Sequence, residues 1–217
     1  MITYQDQMDL FGFISKDITA DIECYAFGGT AMMFYGYKND TKDVDILFEK
    51  EANREEFVRV LQNLGFEEKT PGGIYLPEKL KDKHRPMMYV KGEGRFDLFA
   101  NKIFHTVISP KMKEDIYAMH EFRGKHTLKV KVLRKESIVM LKSVTERKND
   151  FDDIRLITEK DKHFDWQYLV DEAIWQWKNG DTWVLMDVEK VIQELKKHVF
   201  IEEGYLKQLY EAGKRRG

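Results

Sequence analysis

Two aspartates lie two positions apart in the segment DVDILFE, residues 43–49, which is otherwise largely apolar. Residues two apart on a β-strand point to the same face, so Asp43 and Asp45 project together while Val44 and Ile46 face apolar packing. Two carboxylates this close raise each other's pKa, and a divalent cation would compensate them. Mg²⁺ prefers carboxylate oxygens together with substrate phosphates and water. A solvated strand face or capping aspartates would give the same pattern, so the pair alone leaves both interpretations open.

A glycine pair lies before the acid pair and predicts an anion site. The apolar run ECYAF, residues 23–27, indicates a buried strand that ends at Gly28-Gly29, and a helix is expected to begin at Thr30. Glycines let the backbone approach a phosphate closely, and a helix N-terminus offers free N–H groups, to which Thr30 could add a hydroxyl. The pattern is neither G-K-[ST] nor G-x-G-x-x-G. An ordinary turn would also use two glycines, but a phosphate cradle beside a metal-binding acid pair favours a binding site.

Together, the glycine pair and the acid pair resemble the nucleotidyltransferase (DNA polymerase β-like) superfamily. Its members carry Gly-Gly or Gly-Ser followed, after a short spacer, by Asp-h-Asp on a strand, where h is apolar. Thr41, two residues before Asp43, matches the T-x-D-h-D form common in small prokaryotic members. The resemblance implies a third carboxylate on a later strand, and Asp97 in GRFDLFA fits that position. A surface strand residue is the alternative interpretation of Asp97.

A second segment, MLKSVTERKNDFDDIRLI, resembles the helix of AbiEii-type nucleotidyltransferases and related toxin-like proteins. The matching positions are Lys142, Arg147, Asp150 and Asp153. One unbroken helix would present Lys142 and Asp153 on the same face, and the resemblance implies that Lys142 reaches a triphosphate while Asp153 orients the lysine. Acids at 150, 152 and 153 leave the register of the acidic pair open. A solvated helix with i,i+4 ion pairs is the alternative interpretation.

The resemblance implies transfer of a nucleoside monophosphate from an NTP to an acceptor hydroxyl, with release of pyrophosphate. Two Mg²⁺ ions are expected, and metal-ion catalysis of this kind lowers the pKa of the acceptor hydroxyl and neutralises the leaving group. The metal ligands that the resemblance implies are Asp43, Asp45 and Asp97, with Asp97 on the nucleophile side. Residues expected to position the triphosphate are Gly28, Gly29 and Thr30, together with Lys142 and Asp153.

The elements around these motifs indicate an α/β (α+β) fold, in which a nucleotidyltransferase-like mixed sheet flanked by helices is followed by an all-helical C-terminal region. We place a catalytic domain at 1–134 and a helical domain at 135–217. Strands are predicted over 23–27, 43–49, 73–76, 86–91, 92–100 and 127–133. Helices are predicted over 5–15, 30–36, 50–66, 110–119, 165–178 and 182–200, with one or two more over 135–160.

Composition excludes several classes of protein. The chain has 217 residues, and its net charge of −2 carries no global basic excess, so any nucleic-acid surface must be local. The single cysteine, Cys24, excludes an internal disulfide and a zinc site built from cysteines. No signal peptide or membrane-length apolar stretch is present, which predicts a cytoplasmic protein without a membrane partner.

The acceptor is the least determined part of the function. Basic residues cluster over 78–95 and 127–135, where they could follow an RNA backbone or form solvated basic loops. One hypothesis is an active enzyme that modifies RNA (tRNA above all) or a protein, as the toxin arm of a two-gene system with an antitoxin partner. A second is a nucleotide-binding or interaction module of the same fold with little turnover. A third is a small-molecule enzyme of the aminoglycoside type, which an acidic cleft would favour.

Overall fold

A computed structural model of the protein describes residues 1–70, 72, 74, 75, 77–145, 147 and 149–214. The strands are β1 Ile2–Thr3, β2 Ile22–Ala26, β3 Asp40–Thr41, β4 Asp43–Phe48, β5 Glu67–Lys69, β6 Met87–Lys91, β7 Gly94–Ala100, β8 Lys102–Ile103, β9 Thr106–Val107, β10 Ile116–Arg123 and β11 Thr127–Leu133. The helices are α1 Tyr4–Asp17, α2 Gly28–Phe34, α3 Glu51–Asn63, α4 Pro77–Leu80, α5 Pro110–Glu114, α6 Lys135–Thr145, α7 Asp150–Lys160, α8 Trp166–Lys178, α9 Val184–Leu195 and α10 Glu203–Lys214.

The central sheet is mixed, as the sequence predicts. Its strand order is β10-β11-β2-β4-β7-β6-β5, and β8 and β9 extend from the end of β7. Strand β4 lies parallel to β7 and antiparallel to β2, while β11 lies parallel to β2. The predicted hairpin over 86–100 is confirmed as the antiparallel pair β6–β7, which turns at Gly92 with a φ of 58°.

The two faces of β4 enter different parts of the interior, because alternate side chains on a strand point to opposite faces. Val44 and Ile46 pack with residues of α1 and α3. Leu47 packs on the other face with α2 and the C-terminal helices, the same face from which Asp43 and Asp45 project. The alternation that the sequence showed at 43–48 therefore separates a purely apolar layer from a layer that carries the acids.

The C-terminal region is helical from Lys135 onward, so the predicted fold class is confirmed. The last strand ends at Leu133, next to the predicted boundary at 134/135. A continuous apolar core nevertheless joins strand residues such as Phe99 and Val132 to helical residues such as Leu141 and Val170. The division into two domains stays a prediction. Among the described residues, no helix is both long enough and apolar enough to cross a bilayer.

Several predicted boundaries are wrong, each for a local reason. The helix predicted over 110–119 ends at Glu114, and residues 116–123 form β10, whose alternate exposure suits its antiparallel pairing with β11. The segment 135–160 contains two helices, of which α6 ends at Thr145 and α7 begins at Asp150, so Lys142 and Asp153 lie on different helices. Of the strand predicted over 73–76, residues 73 and 76 lie outside the described residues, and the two between them are not extended.

Candidate active site

Three carboxylates converge on one face of two neighbouring inner strands of the sheet. Asp43 and Asp45 come from β4, and Asp97 comes from the parallel neighbour β7, where it lies directly opposite Asp45. One oxygen from each of the three lies within 4.8 Å of the others. Neighbouring residues in register on adjacent strands share a face, so this meeting follows from the pairing of the two strands. The three residues that the sequence predicts as metal ligands are therefore brought together.

Burial and neighbouring charges shift the pKa values of the three acids. Desolvation, with Asp43 as the next cause, raises the pKa of Asp45 to about 7. Desolvation also raises the pKa of Asp97 above its usual range. At Asp43 burial acts in the same direction, but the guanidinium groups of Arg147 and Arg95 outweigh it and lower the pKa. Burial thus favours the neutral form at Asp45 and Asp97, whereas the two arginines favour the charged form at Asp43.

The oxygens of the triad fit a divalent cation. Asp45 Oδ1 is buried and accepts no hydrogen bond in the described part of the protein. Asp97 Oδ1 is also buried without a well-aligned hydrogen bond, although Arg95 Nε lies 2.8 Å away as an ion pair. Buried oxygens without donors are unfavourable in an interior but suit a hard cation such as Mg²⁺, which is bound by carboxylate oxygens.

Two arginines and a tyrosine contact the triad. Arg147 is a matching position of the second sequence motif, where it was given no role, and Arg95 and Tyr75 were not predicted as site residues. Arg147 Nη1 lies 3.0 Å from Asp43 Oδ2, 3.5 Å from Asp45 Oδ1 and 3.8 Å from Asp97 Oδ2. Arg95 contacts Asp43 and Asp97. Tyr75 OH donates a hydrogen bond to Asp97 Oδ2 at 3.0 Å. Arg95 could have been found from sequence, since it lies two residues before Asp97 on one strand face; Tyr75 carried no such signal.

The glycine pair lets α2 approach the acid strand. Gly28 has a φ of 55°, and a Cβ there would lie 2.1 Å from Asp45 Oδ2. A Cβ at Gly29 would lie 2.4 Å from Thr41 Oγ1. Because neither residue has a side chain, the backbone can come close enough for the Gly29 N–H to donate a hydrogen bond to Asp45 Oδ2 at 3.0 Å. The pair therefore accommodates a carboxylate, and Gly29 also lines the adjacent cleft.

Thr30 lies away from the cleft surface. The helix begins at Gly28 rather than at Thr30, and the Thr30 side chain is fully buried. Its Oγ1 accepts a hydrogen bond from the Asp45 N–H at 2.8 Å. The hydroxyl that the sequence suggested for a triphosphate is used here to hold β4 against α2, which steadies the backbone of an acid in the triad.

Lys142 meets the acids of the next helix although α6 and α7 are separate. Its Nζ lies 3.0 Å from Asp150 Oδ1 and 2.7 Å from Asp153 Oδ2. Lys38 Nζ lies 2.5 Å from the second oxygen of Asp153. Asp152 is exposed and does not reach the lysine. The packing of α6 against α7 thus replaces the single helix face, and the acidic pair consists of residues 150 and 153.

An open cleft of about 550 Å³ connects these groups. Its charged lining residues are Lys38, Lys42, Arg95, Lys142 and Arg147 with Asp40, Asp43, Asp150 and Asp153. The charges nearly balance, so the lining is neither the acidic cleft expected for a cationic small molecule nor a strongly basic one. What the cleft offers is a set of cations beside Asp43, the least buried acid of the triad.

Comparison with known proteins adds little information about function to the geometry of the site. No family model matches the chain, and no curated protein matches it. The solved structures that are similar in part include the following two. The solution structure of the antibiotic-resistance factor ANT(2'')-Ia has 15% identity and a TM-score of 0.47, covering 74% of this chain and 85% of that one. The crystal structure of ANT(2'')-Ia in complex with adenylyl-2''-tobramycin has 14% identity and a TM-score of 0.43, covering 71% and 88%. A proposal of function therefore depends on the geometry of the site.

Proposed function

We propose that the protein is a metal-dependent nucleotidyltransferase, which moves a nucleoside monophosphate from an NTP to an acceptor hydroxyl and releases pyrophosphate. The observation that carries the proposal is the convergence of Asp43, Asp45 and Asp97 within 4.8 Å, on two parallel strands at the edge of a cleft lined by cations. Rigid strands hold ligands accurately, and phosphoryl chemistry depends on positioning and charge more than on covalent steps.

Each group has a role in this proposal. Asp43 and Asp45 would hold two Mg²⁺ ions, with Asp97 on the acceptor side; the ions would supply charge neutralisation and a lower pKa for the acceptor hydroxyl. Lys142 and Lys38 line the cleft and would bind the phosphates of the NTP. The acids 150 and 153 orient the Lys142 ammonium. Asp97, whose pKa is raised by burial, could accept the proton of the attacking hydroxyl.

A basic groove outside the cleft supports a polyanionic acceptor, and we propose RNA, with tRNA as the first candidate. The groove has a volume of about 530 Å³. Its charged lining residues are Arg54, Lys69, Lys81, Lys83 and Arg85 against Glu68 and Asp82. In the described part of the chain, Lys81 and Lys83 form no ion pair, so they are available to phosphates. A backbone neutralised by such lysines binds with strong salt dependence.

Label transfer tests the proposal. The protein is incubated with each α-³²P-NTP, Mg²⁺ and total RNA, beside Asp43→Ala/Asp45→Ala and the matched variant Asp152→Asn. We expect label in RNA with the wild type and Asp152→Asn, and none with the double variant. Label on protein, or on an added aminoglycoside, would replace the RNA acceptor while keeping the chemistry. If the protein binds NTP but transfers no label, it is a nucleotide-binding module and the proposed enzymatic activity is wrong.

The toxin-arm proposal is supported by the motif of Lys142, Arg147, Asp150 and Asp153. If it holds, induced expression of the wild type arrests bacterial growth, and co-expression of an antitoxin partner relieves the arrest. Asp45→Asn should not arrest growth at equal protein level, because the triad would no longer hold its metal. Equal toxicity of the two proteins would contradict a toxin that acts by nucleotidyl transfer.

A further inference from the structure

One cationic side chain lies against all three carboxylates. Arg147 Nη1 is 3.0 Å from Asp43, 3.5 Å from Asp45 and 3.8 Å from Asp97, measured to the nearest oxygens. The Arg147 side chain is only 12% exposed, so solvent screens these contacts little. Arg95, by comparison, contacts Asp43 and Asp97 but not Asp45. Arg147 therefore takes the central position among the acids.

This position conflicts with a divalent cation on the same oxygens. Mg²⁺ lies about 2.1 Å from each of its ligands. Arg147 Nη1 already contacts one oxygen of each of the three acids that would hold such an ion. Two cations this close in a poorly screened site repel each other strongly. The guanidinium and the metal are therefore alternatives, and one must leave when the other enters.

The backbone of Arg147 is held independently of its guanidinium. The Arg147 N–H donates a hydrogen bond to Asp150 Oδ2 at 2.7 Å, next to the start of α7. The guanidinium Nε lies 3.4 Å from the same oxygen, so this end of the guanidinium contacts α7 while Nη1 contacts the triad. Both Arg147 and Lys142 line the cleft. A rotation of the outer side chain would take the guanidinium off the triad and keep it in the cleft, beside the lysine proposed to bind phosphate.

We propose that Arg147 is an exchangeable counter-ion: it neutralises the triad while metal is absent, gives way to the divalent cation, and then contacts a phosphate of the nucleotide. This inference rests on the proposed function. It makes Arg147 a positioning residue that couples the two ligands. Nucleotide offers the displaced guanidinium an anionic partner, so nucleotide tightens metal binding, and by linkage metal tightens nucleotide binding.

Mn²⁺ binding tests the coupling without measuring activity. Calorimetry or electron paramagnetic resonance gives the Mn²⁺ affinity of the full chain, alone and with a non-hydrolysable NTP analogue. We expect the analogue to tighten Mn²⁺ binding to the wild type by about 5-fold or more. Arg147→Met should bind Mn²⁺ about 10-fold more tightly than the wild type without the analogue, since no guanidinium competes. The analogue should then tighten Mn²⁺ binding by a clearly smaller factor than in the wild type, because only the direct contacts between the metal and the phosphates remain.

Two further variants distinguish competition by the Arg147 guanidinium from a general effect of positive charge. Arg147→Lys keeps the charge on a side chain without the guanidinium fork, and it should bind Mn²⁺ with an affinity between those of the wild type and Arg147→Met. Arg95→Met removes a guanidinium that does not reach Asp45, so the analogue should still tighten Mn²⁺ binding to it. Thermal unfolding should show that Arg147→Met is destabilised without metal and is stabilised by Mn²⁺ more than the wild type is.

The results separate this inference from the function on which it rests. Suppose that the wild type binds Mn²⁺ and transfers label, but Arg147→Met binds Mn²⁺ no more tightly than the wild type. The exchange of Arg147 for the metal would then be wrong, and the proposed nucleotidyltransferase function would stand. A reduction of the coupling in Arg95→Met as large as that in Arg147→Met would show a general effect of charge and also overturn the exchange. A wild type that binds no Mn²⁺ overturns both.

Discussion

Asp45 is the acid on which the candidate site depends most. Its carboxylate is buried, its N–H is held by Thr30, and Gly29 donates to one of its oxygens. A charge in such a position is costly unless it is paired, and here the compensation comes from Arg147 at 3.5 Å. A residue kept at an energetic cost is the kind of side chain that function retains.

The first prediction therefore separates activity from stability. Asp45→Asn should lower label transfer by about 100- to 1,000-fold, because the metal loses a charged ligand. In the absence of metal at pH 8, the variant should unfold at the same temperature as the wild type or higher, because a buried charge has been removed. Asp152→Asn, at an exposed acid, is the control for both measurements. A much lower unfolding temperature combined with retained transfer would contradict the assignment.

The second prediction concerns Asp150 and the pH dependence of stability. It is buried, and although burial acts in the opposite direction, Lys142 and then Arg147 lower its pKa to about 2. A lowered pKa means that its contribution to stability is present above the unfolded value of 3.8 and is lost as the pH falls through about 2. The shift corresponds to about 2 kcal/mol. Urea unfolding of Asp150→Asn and the wild type should differ by at least this amount at pH 6, and the difference should shrink towards pH 2.

At the scale of elements, the junction of β2 and α2 determines how close the helix comes to β4. Gly28 is tested against Gly12, a glycine inside α1 whose added Cβ would meet nothing within 4 Å. Gly28→Ala should destabilise the protein by about 1–3 kcal/mol, because a positive φ and contact with Asp45 both oppose a Cβ. Gly12→Ala should be stabilising by about 0.5–1 kcal/mol, as in other helix interiors.

The same pair of variants tests the site. Gly28→Ala should also weaken Mn²⁺ binding, since Asp45 has to move away from the new methyl group. Gly12→Ala should leave Mn²⁺ binding unchanged. Equal stability and equal Mn²⁺ affinity of the two variants would show that the approach of α2 to β4 is not needed.

At the scale of the whole molecule, the core continues from the sheet into the C-terminal helices. The triad lies on strands, whereas Lys142 and Arg147 belong to the helical region, so the cleft is built from both. We expect a single cooperative unfolding transition, with equal calorimetric and van't Hoff enthalpies. Two resolved transitions would instead support independent domains divided near 134. Addition of Mn²⁺ with nucleotide should raise the midpoint temperature of this transition without splitting it into two.

The local patterns of the chain were enough to predict the strand at 43–49, its two acids and the end of a strand before Gly28-Gly29, because alternation and glycine punctuation are properties of short segments. The third acid, Asp97, followed from the family resemblance. They also placed a helical region after residue 134. They did not predict β10, since its alternation matters only when β11 lies beside it.

What depended on the tertiary structure was which groups meet. Parallel pairing of β4 with β7 brings Asp97 to Asp45, and the packing of α6 on α7 decides that Lys142 pairs with Asp150 and Asp153 rather than with Asp152. The tertiary structure also places Arg147 among carboxylates from β4 and β7, two strands that are far from Arg147 in the sequence. Contacts between segments far apart in the chain follow from strand order and helix packing, which short patterns do not contain; the close approach of these charges is therefore a property of the folded molecule.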